Sequence, residues 1–473
     1  MKLNSVKNKA GLIYISWMIA VSALILFIFS SLRHELFQST ALDLAAFDQW
    51  IYLASQGLPP ISSFFGFHMI GDHAAFILYL IVPLYKIYPD VHWLFAVQAI
   101  ALAIGCVPVY ALSLQFGLSI NYARAISISY LLYPSLFNIN FFTDFRPEAI
   151  AVPALLWAMW AGISNRTWQL IIAIALVLSC KDILSLTVIA FGVWLWLIQH
   201  RRIYGIGCIV IGVVWYLITV GYLVPMLRGG QAGGVVFYSS LGDSPKQIIW
   251  NIITNPSLIL GKFFAPETLF YYLLLLLPVI IGLHWRHIMT IIPALPMFLL
   301  NIVSDFSPQR DLVHHYSLTI FPFLIVWLLR SIWQYQQEKK RRWLKPRFLI
   351  VWAMIVFLVL AKYGFFITRY LSSLSNLNSL HTAVSLVQTK GSVLTTSRIA
   401  PHLSHRQIIN LISIDRKPDD ISSETIEYVL LDVRTKNRSN KLEFNPELPN
   451  QLKNNQGFKL VYQQNDVYLF KKQ

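Results

Sequence analysis

Apolar runs of roughly 20 residues, separated by short polar or charged stretches, recur from Gly11 to about Tyr370. A window of that length predicts about eleven membrane-spanning helices. They fall near 11–32, 91–115, 123–141, 147–163, 168–180, 183–199, 203–225, 268–286, 288–304, 313–333 and 348–370. The pair 168–180 and 183–199 is short and joined through Lys181-Asp182, so it reads as two tilted helices or one broken one. Two connecting loops are long. In residues 33–90, LDLAAFDQWIYLASQG predicts an amphipathic interfacial helix beginning near Asp43. A second apolar stretch there is short and broken by Pro83, which predicts another helix along the membrane surface. Residues 226–267 carry RGGQAGG and YSSLGDSP and read as a mobile loop with a helical portion. After about Leu371 the pattern turns polar with short β-type runs, SVLTTS (392–397), EYVLLD (427–432), FKLVYQQ and VYLFKK. The expected division is a multispan domain over 1–376 and a small α/β domain over 377–473.

Composition agrees with the pattern. The chain is 56% hydrophobic and 13% charged, about half the charged fraction of a soluble protein. The first run follows Lys2, Lys7 and Lys9 and lacks a small-residue cleavage site, so it reads as a retained helix. The net charge of +16 does not call for nucleic acid, because membrane proteins gather Lys and Arg in short cytoplasmic loops. Arg124, Arg166, Arg201-Arg202, Arg286 and KKRRWLKPR (339–347) fall in alternate loops. That alternation predicts a cytoplasmic N-terminus and, with an odd number of spans, an outer C-terminal domain. Cysteines placed at Gln336 and Ser397 should label from the cytoplasmic and outer sides respectively; a cytoplasmic Ser397 would overturn this topology. Cys106, Cys180 and Cys208 lie inside apolar runs without metal-ligand spacing and read as small core residues.

In this topology every acid before Glu338 lies on or near the outer side, several of them at helix ends. Charge beside hydrocarbon is costly unless it is paired or faces a wet cavity. Five clusters can converge if the helices bundle: Asp43/Asp48, Asp72-His73, Asp144/Arg146/Glu148, Lys181-Asp182, and Arg310/Asp311 with His314-His315-Tyr316. Carboxylates mixed with Arg, Lys and His fit a base beside an anion clamp. A sugar donor on a lipid phosphate needs both. Each cluster also has a structural explanation: Asp43 as a helix cap, Asp48 on a solvated face, Asp72-His73 as another cap. Likewise Asp144, Arg146 and Glu148 can satisfy one another, with Pro147 starting the next helix, and Lys181-Asp182 can neutralise itself. Adjacent His314 and His315 point apart on a helix, which disfavours a two-histidine metal site.

The segments LDLAAFDQ, GDH followed by PLYKIYP, LLYPSLFNINFFTDFRPEAIAVP, CKDILSLTVIAFGVWL and HHYSLTIFPFL resemble, in order and spacing, the bacterial predicted-membrane-protein family called domain of unknown function 2079. The resemblance covers most of residues 40 to 330. The chain departs from the pattern at three places. Ala-Ala follows His73 where the family has Phe-Ser, Arg146 stands for a usual His, and Asp182 for a usual Glu. More widely the chain is similar to GT-C glycosyltransferases, which use polyprenyl-phosphate sugars. That similarity implies an integral protein of the bacterial plasma membrane with an outer-face active site. Asp43 matches the position of the catalytic carboxylate. Asp144 matches a second, metal-binding carboxylate found in some members.

The expectation is therefore an all-α, GT-C-like membrane protein with an outer α/β domain, moving a sugar from a polyprenyl-phosphate donor to an outer acceptor. Asp43, with Asp48 beside it, supplies the candidate catalytic carboxylate. Candidate substrate contacts are Asp72, His73, Arg146, Lys181, Asp182, Arg310, His314, His315 and Tyr316. Asp144 and Glu148 either hold a divalent cation, Mg or Mn, or orient Arg146. Expected partners are membrane lipid and the lipid-linked sugar, with no nucleic acid; oligomeric state is not legible. The rivals are a transporter or flippase of a lipid-linked or anionic solute, which predicts polar residues on both membrane sides, and a non-catalytic scaffold, which tolerates neutralised helix-end charges.

Overall fold

The computed structural model describes residues 5–230, 233–415, 417–418, 421, 425–434, 442–455 and 457–473. Its larger part is a bundle of apolar helices. Five helical stretches are long and apolar enough to cross a membrane: Ile13–Glu35, His92–Gln115, Arg202–Arg228, Trp285–Val303 and Pro346–Ser385. Several other expected spans are shorter or interrupted. The 123–141 run divides into helices Ile120–Leu131 and Pro134–Phe142, because Pro134 lacks the N–H a continuous helix needs and fits a first turn instead. Pro293 likewise closes a 3-10 stretch, Trp285–Ala294, before helix Leu295–Val303. The 168–180 and 183–199 pair is broken: Thr167–Cys180 ends at Lys181 in extended backbone, and Leu184–Leu197 follows. This second helix packs closely on Arg202–Ile218. A Cβ on Gly192 would sit 2.6 Å from the Gly205 carbonyl oxygen, so glycine is what lets the two backbones approach.

The 33–90 loop begins with a π-helical turn, Ala41–Ala45, that runs into helix Ala46–Ser55. The apolar stretch after it holds three short helical pieces, Ile70–His73, Phe76–Leu80 and Val82–Ile87. The 226–267 loop is more helical than its glycines suggest. It contains Pro245–Thr254, capped by the Ser244 side chain, and Pro256–Phe264.

The C-terminal part carries a five-stranded sheet: β1 (Val393–Thr395), β2 (Ile409–Leu411), β3 (Tyr428–Asp432), β4 (Phe458–Gln464) and β5 (Val467–Lys472). The order is β2-β1-β3-β5-β4. β1 is parallel to both its neighbours, while β5 is antiparallel to β3 and β4. One sheet face buries Ile412, Phe444, Leu448 and Leu452. The other packs Val393, Ile409 and Leu469, through helix Leu377–Ser385, onto Phe37, Ala41 and Ala45. The sheet therefore closes over the very turn that carries Asp43.

Candidate functional site

The segment FFTDFRPEA forms the floor of the site. Helix Pro134–Phe142 stops, Asp144 takes a left-handed backbone (φ 57°), and Pro147 precedes helix Glu148–Ile163. Phe145 is buried and meets the Phe47 ring at 5.8 Å between centroids. Gln98, from the His92–Ile104 helix, clamps the loop's backbone. Its amide donates to the Asp144 carbonyl (2.6 Å) and its side-chain oxygen accepts from Arg146 N–H (2.9 Å). Asn140 accepts from Gln98 (3.1 Å) and from Ser30 (3.2 Å). Buried loop backbone needs such partners.

Three ion pairs fan out from this loop. Arg146 Nη2 donates to Asp43 Oδ1, and Thr40 Oγ1 donates to the other Asp43 oxygen at 3.1 Å. Asp144 faces Arg33 (3.2 Å) and accepts from Ser39 Oγ (2.7 Å) and Thr40 N–H (3.2 Å). Glu148 accepts from Lys181 Nζ at 2.5 Å and lies 3.7 Å from His315 Nε2. The expected arrangement in which Asp144 and Glu148 hold Arg146 is not what forms. The left-handed turn at Asp144 points its carboxylate to Arg33, and the Lys181 break delivers an ammonium to Glu148. Arg146 is left to Asp43. Among the described residues, Arg146 Nε, Arg33 Nη1 and the His315 Nδ1 atom are buried without a hydrogen-bond partner.

The other expected residues divide. His73 reaches this cluster through backbone, its carbonyl accepting from Asp182 N–H at 2.9 Å. Its ring faces Asp72 at 3.2 Å, and Asp72 also pairs with Arg228 at 3.1 Å. The Asp182 carboxylate accepts from its neighbour Ile183 N–H at 2.8 Å. Tyr316 stacks obliquely on His315 with centroids 4.0 Å apart. His314 turns away, to Asp311 (2.7 Å) and the edge of Phe142. Arg310 is engaged elsewhere. It donates to the Asn301, Ile302 and Ser304 carbonyls at the end of helix Leu295–Val303, where a cation complements the helix dipole.

Asp48 belongs to a second cluster, under the C-terminal sheet. It is buried and accepts from Tyr85 Oη (2.6 Å) and Ser404 Oγ, and it pairs with His405 (3.1 Å). The His405 ring lies flat on Tyr52, 4.7 Å between centroids. Beside them is a polar cavity of about 360 Å³ lined by His34, Asp48, Asp90, His92, Lys390 and His405. Further bonds tie the same segment to the sheet: Gln49 to the Arg406 carbonyl (3.1 Å), Ser63 to the Ile409 carbonyl (2.8 Å), and Ala41 N–H to Ser397 Oγ (3.3 Å).

Burial alone would raise the Asp48 carboxyl and lower the His405 imidazole. Their mutual attraction and hydrogen bond outweigh it, so Asp48 lies below and His405 above the usual value. Stability from raised His405 is complete below about pH 6.5 and fades as the pH climbs through its raised value. Stability from lowered Asp48 is present above about pH 4 and fades as the pH drops through its lowered value. His405→Gln should therefore loosen the C-terminal sheet most between those limits, read as faster proteolysis within 377–473. A deficit that grows towards pH 9 would contradict the pair.

Asp144 and Glu148 do not fit a divalent-cation cage. Each is taken by a cation, in separate networks, and among the described residues no group of three or more His, Cys, Asp or Glu could hold a metal ion. Arg33, Ser39, Thr40, Gln98 and Asn140 escaped the sequence reading. The signal available was their polarity inside or beside apolar runs, which in a membrane helix points inward.

A family model described as predicted membrane protein, DUF2079, matches residues 33–469. No curated protein matches by sequence. Among solved structures the chain is similar to ArnT from Cupriavidus metallidurans bound to undecaprenyl phosphate. That match has 11% identity, covers 97% of both chains and has a TM-score of 0.53. The apo form of ArnT gives 10% identity, 98% of both chains and 0.52. The arabinofuranosyltransferase AftD from Mycobacteria gives 12% identity and 0.47, over 96% of this chain and 40% of its own. The likeness to ArnT shows a shared overall fold.

Proposed function

We propose, from the premise that the chain belongs to the DUF2079 family of predicted membrane proteins and shares the overall fold of ArnT, that it transfers a sugar from a polyprenyl-phosphate carrier to an acceptor at the outer membrane face. The observation that carries this reading is the Asp43–Arg146 pair beside Glu148–Lys181–His315, with the Arg146 Nε donor unused among the described residues. A carboxylate base and an anion clamp lie side by side there. The undecaprenyl phosphate held by the ArnT structure supports the donor class.

In this reading Asp43 is the base. It takes the proton from the acceptor hydroxyl as that oxygen bonds to the anomeric carbon, and the carbon–oxygen bond to the carrier phosphate breaks. The cations for that phosphate are Arg146 and Lys181. Each is paired with a carboxylate before the donor arrives, so donor binding exchanges one anion for another and releases Asp43 for proton transfer. Asp48, enclosed by Tyr85, Ser404 and His405, holds the C-terminal sheet in place. No step is assigned to a metal.

Arg146→Lys keeps the charge and loses the planar fork. It should fold normally and bind undecaprenyl phosphate about tenfold more weakly, the scale of one lost charged hydrogen bond. Equal binding by a well-folded Arg146→Ala protein would remove the phosphate role.

A further inference from the structure

Far from Asp43, a cavity of about 500 Å³ is lined by Tyr14, Asn121, Arg124, Ile128, Lys345, Pro346, Arg347 and Ile350. It lies between helices Ile120–Leu131 and Pro346–Leu360. These helices run side by side, and Tyr122 Oη donates to the Leu344 carbonyl (3.1 Å) at their shared start. Beyond the far end of helix Pro346–Leu360, Lys362 N–H donates to Asn138 (2.9 Å) in helix Pro134–Phe142, close to the Asp144 loop. The helices Ile120–Leu131 and Pro134–Phe142 together rise about 30 Å, so the cavity opens on the membrane face opposite the carboxylate cluster.

Its chemistry is graded. Lys345 and Arg347 sit at the start of helix Pro346–Leu360, where the dipole adds positive potential, and Arg124 lies one turn inside helix Ile120–Leu131. No acid lines the cavity, and among the described residues none forms an ion pair with these three. Arg124 lies over the Tyr14 ring, 4.4 Å from its centroid, and its buried Nε has no hydrogen-bond partner among the described residues. One turn further into each helix the lining becomes Ile128 and Ile350. A cationic rim above an apolar groove suits a molecule with an anionic head and a hydrocarbon tail.

We infer that this cavity binds the headgroup phosphate of an anionic phospholipid, with an acyl chain along Ile128 and Ile350. Juxtamembrane Lys and Arg each add attraction to such lipids. The site is independent of the transfer reaction, and none of its residues belongs to the clamp or base.

The test uses the full chain in phosphatidylcholine nanodiscs, titrated with fluorescent phosphatidylglycerol. Wild type should bind it saturably, and the Arg124→Gln/Lys345→Gln/Arg347→Gln variant about a hundredfold more weakly. Ile350→Trp keeps every charge and narrows the groove, so it should also weaken lipid binding if the triple variant fails to fold. Glycerol phosphate, a headgroup without chains, should not compete. Equal binding by a folded triple variant, unaltered binding by Ile350→Trp, or competition by glycerol phosphate at lipid-like concentration would each overturn the assignment.

Discussion

Asp43→Asn should lower sugar transfer by roughly 10²- to 10⁴-fold, the usual contribution of a positioned general base, while undecaprenyl phosphate binding stays near wild type. Asparagine keeps the size of the side chain; its oxygen still accepts from Arg146, and its amide donates to the Thr40 hydroxyl in place of the bond that Thr40 gave, so the loop geometry survives. It cannot take a proton at any working pH. Removing the negative charge also frees Arg146, which favours the donor phosphate if it changes donor binding at all. The measurement is single-turnover transfer from a labelled polyprenyl-phosphate sugar, beside donor binding on the same preparation. Asp48→Asn is the internal comparison. Its carboxylate lies under Ser404 and His405, so it should loosen the C-terminal sheet and leave the chemical step largely intact. A folded Asp43→Asn protein with wild-type turnover would sink the base assignment.

Glu148→Ala should destabilise the bundle by about 3–5 kcal/mol, the cost of leaving one member of a buried ion pair alone. Lys181 is 13% exposed and Glu148 7%, so the orphaned ammonium has little water to return to. The double variant Glu148→Gln/Lys181→Met removes both charges and should recover much of the loss, because the desolvation of each charge disappears with it. Thermal unfolding of the purified protein in detergent reads both effects. If single and double variants fall equally, the two side chains act independently and the pair is not a unit. This result is separate from catalysis, since it needs no substrate.

Much of the architecture was legible in the chain. Apolar runs near 20 residues long required helices, since backbone N–H and C=O groups have no other partner in hydrocarbon. The runs 123–141 and 288–304 read as single spans, and only the structure showed them divided at Pro134 and Pro293. The short β-type runs at 427–432, 458–464 and 467–472 pointed to strands, and strands form there. β2 (Ile409–Leu411) was missed because three residues carry too little periodicity. The gathering of acids near helix ends was also local information, and it drew attention to Asp43, Arg146, Glu148 and Lys181 before any contact was known.

Which charge meets which was decided only by the tertiary structure. Asp43 and Arg146 are 103 residues apart and Asp48 and His405 are 357 apart, so no spacing rule relates them. Within the five residues Asp144 to Glu148 the nearest opposite charges seemed natural partners, and the fold separated them. A single left-handed residue, Asp144, turned one carboxylate to Arg33, and the helix break at Lys181 offered the other a closer cation. The sequence by itself determined that charges would stand at the ends of buried helices, because composition and periodicity are local properties. Only the packed bundle and the sheet above it decided their pairing, because ion pairs form wherever helix ends are brought together, and that follows from the whole chain at once.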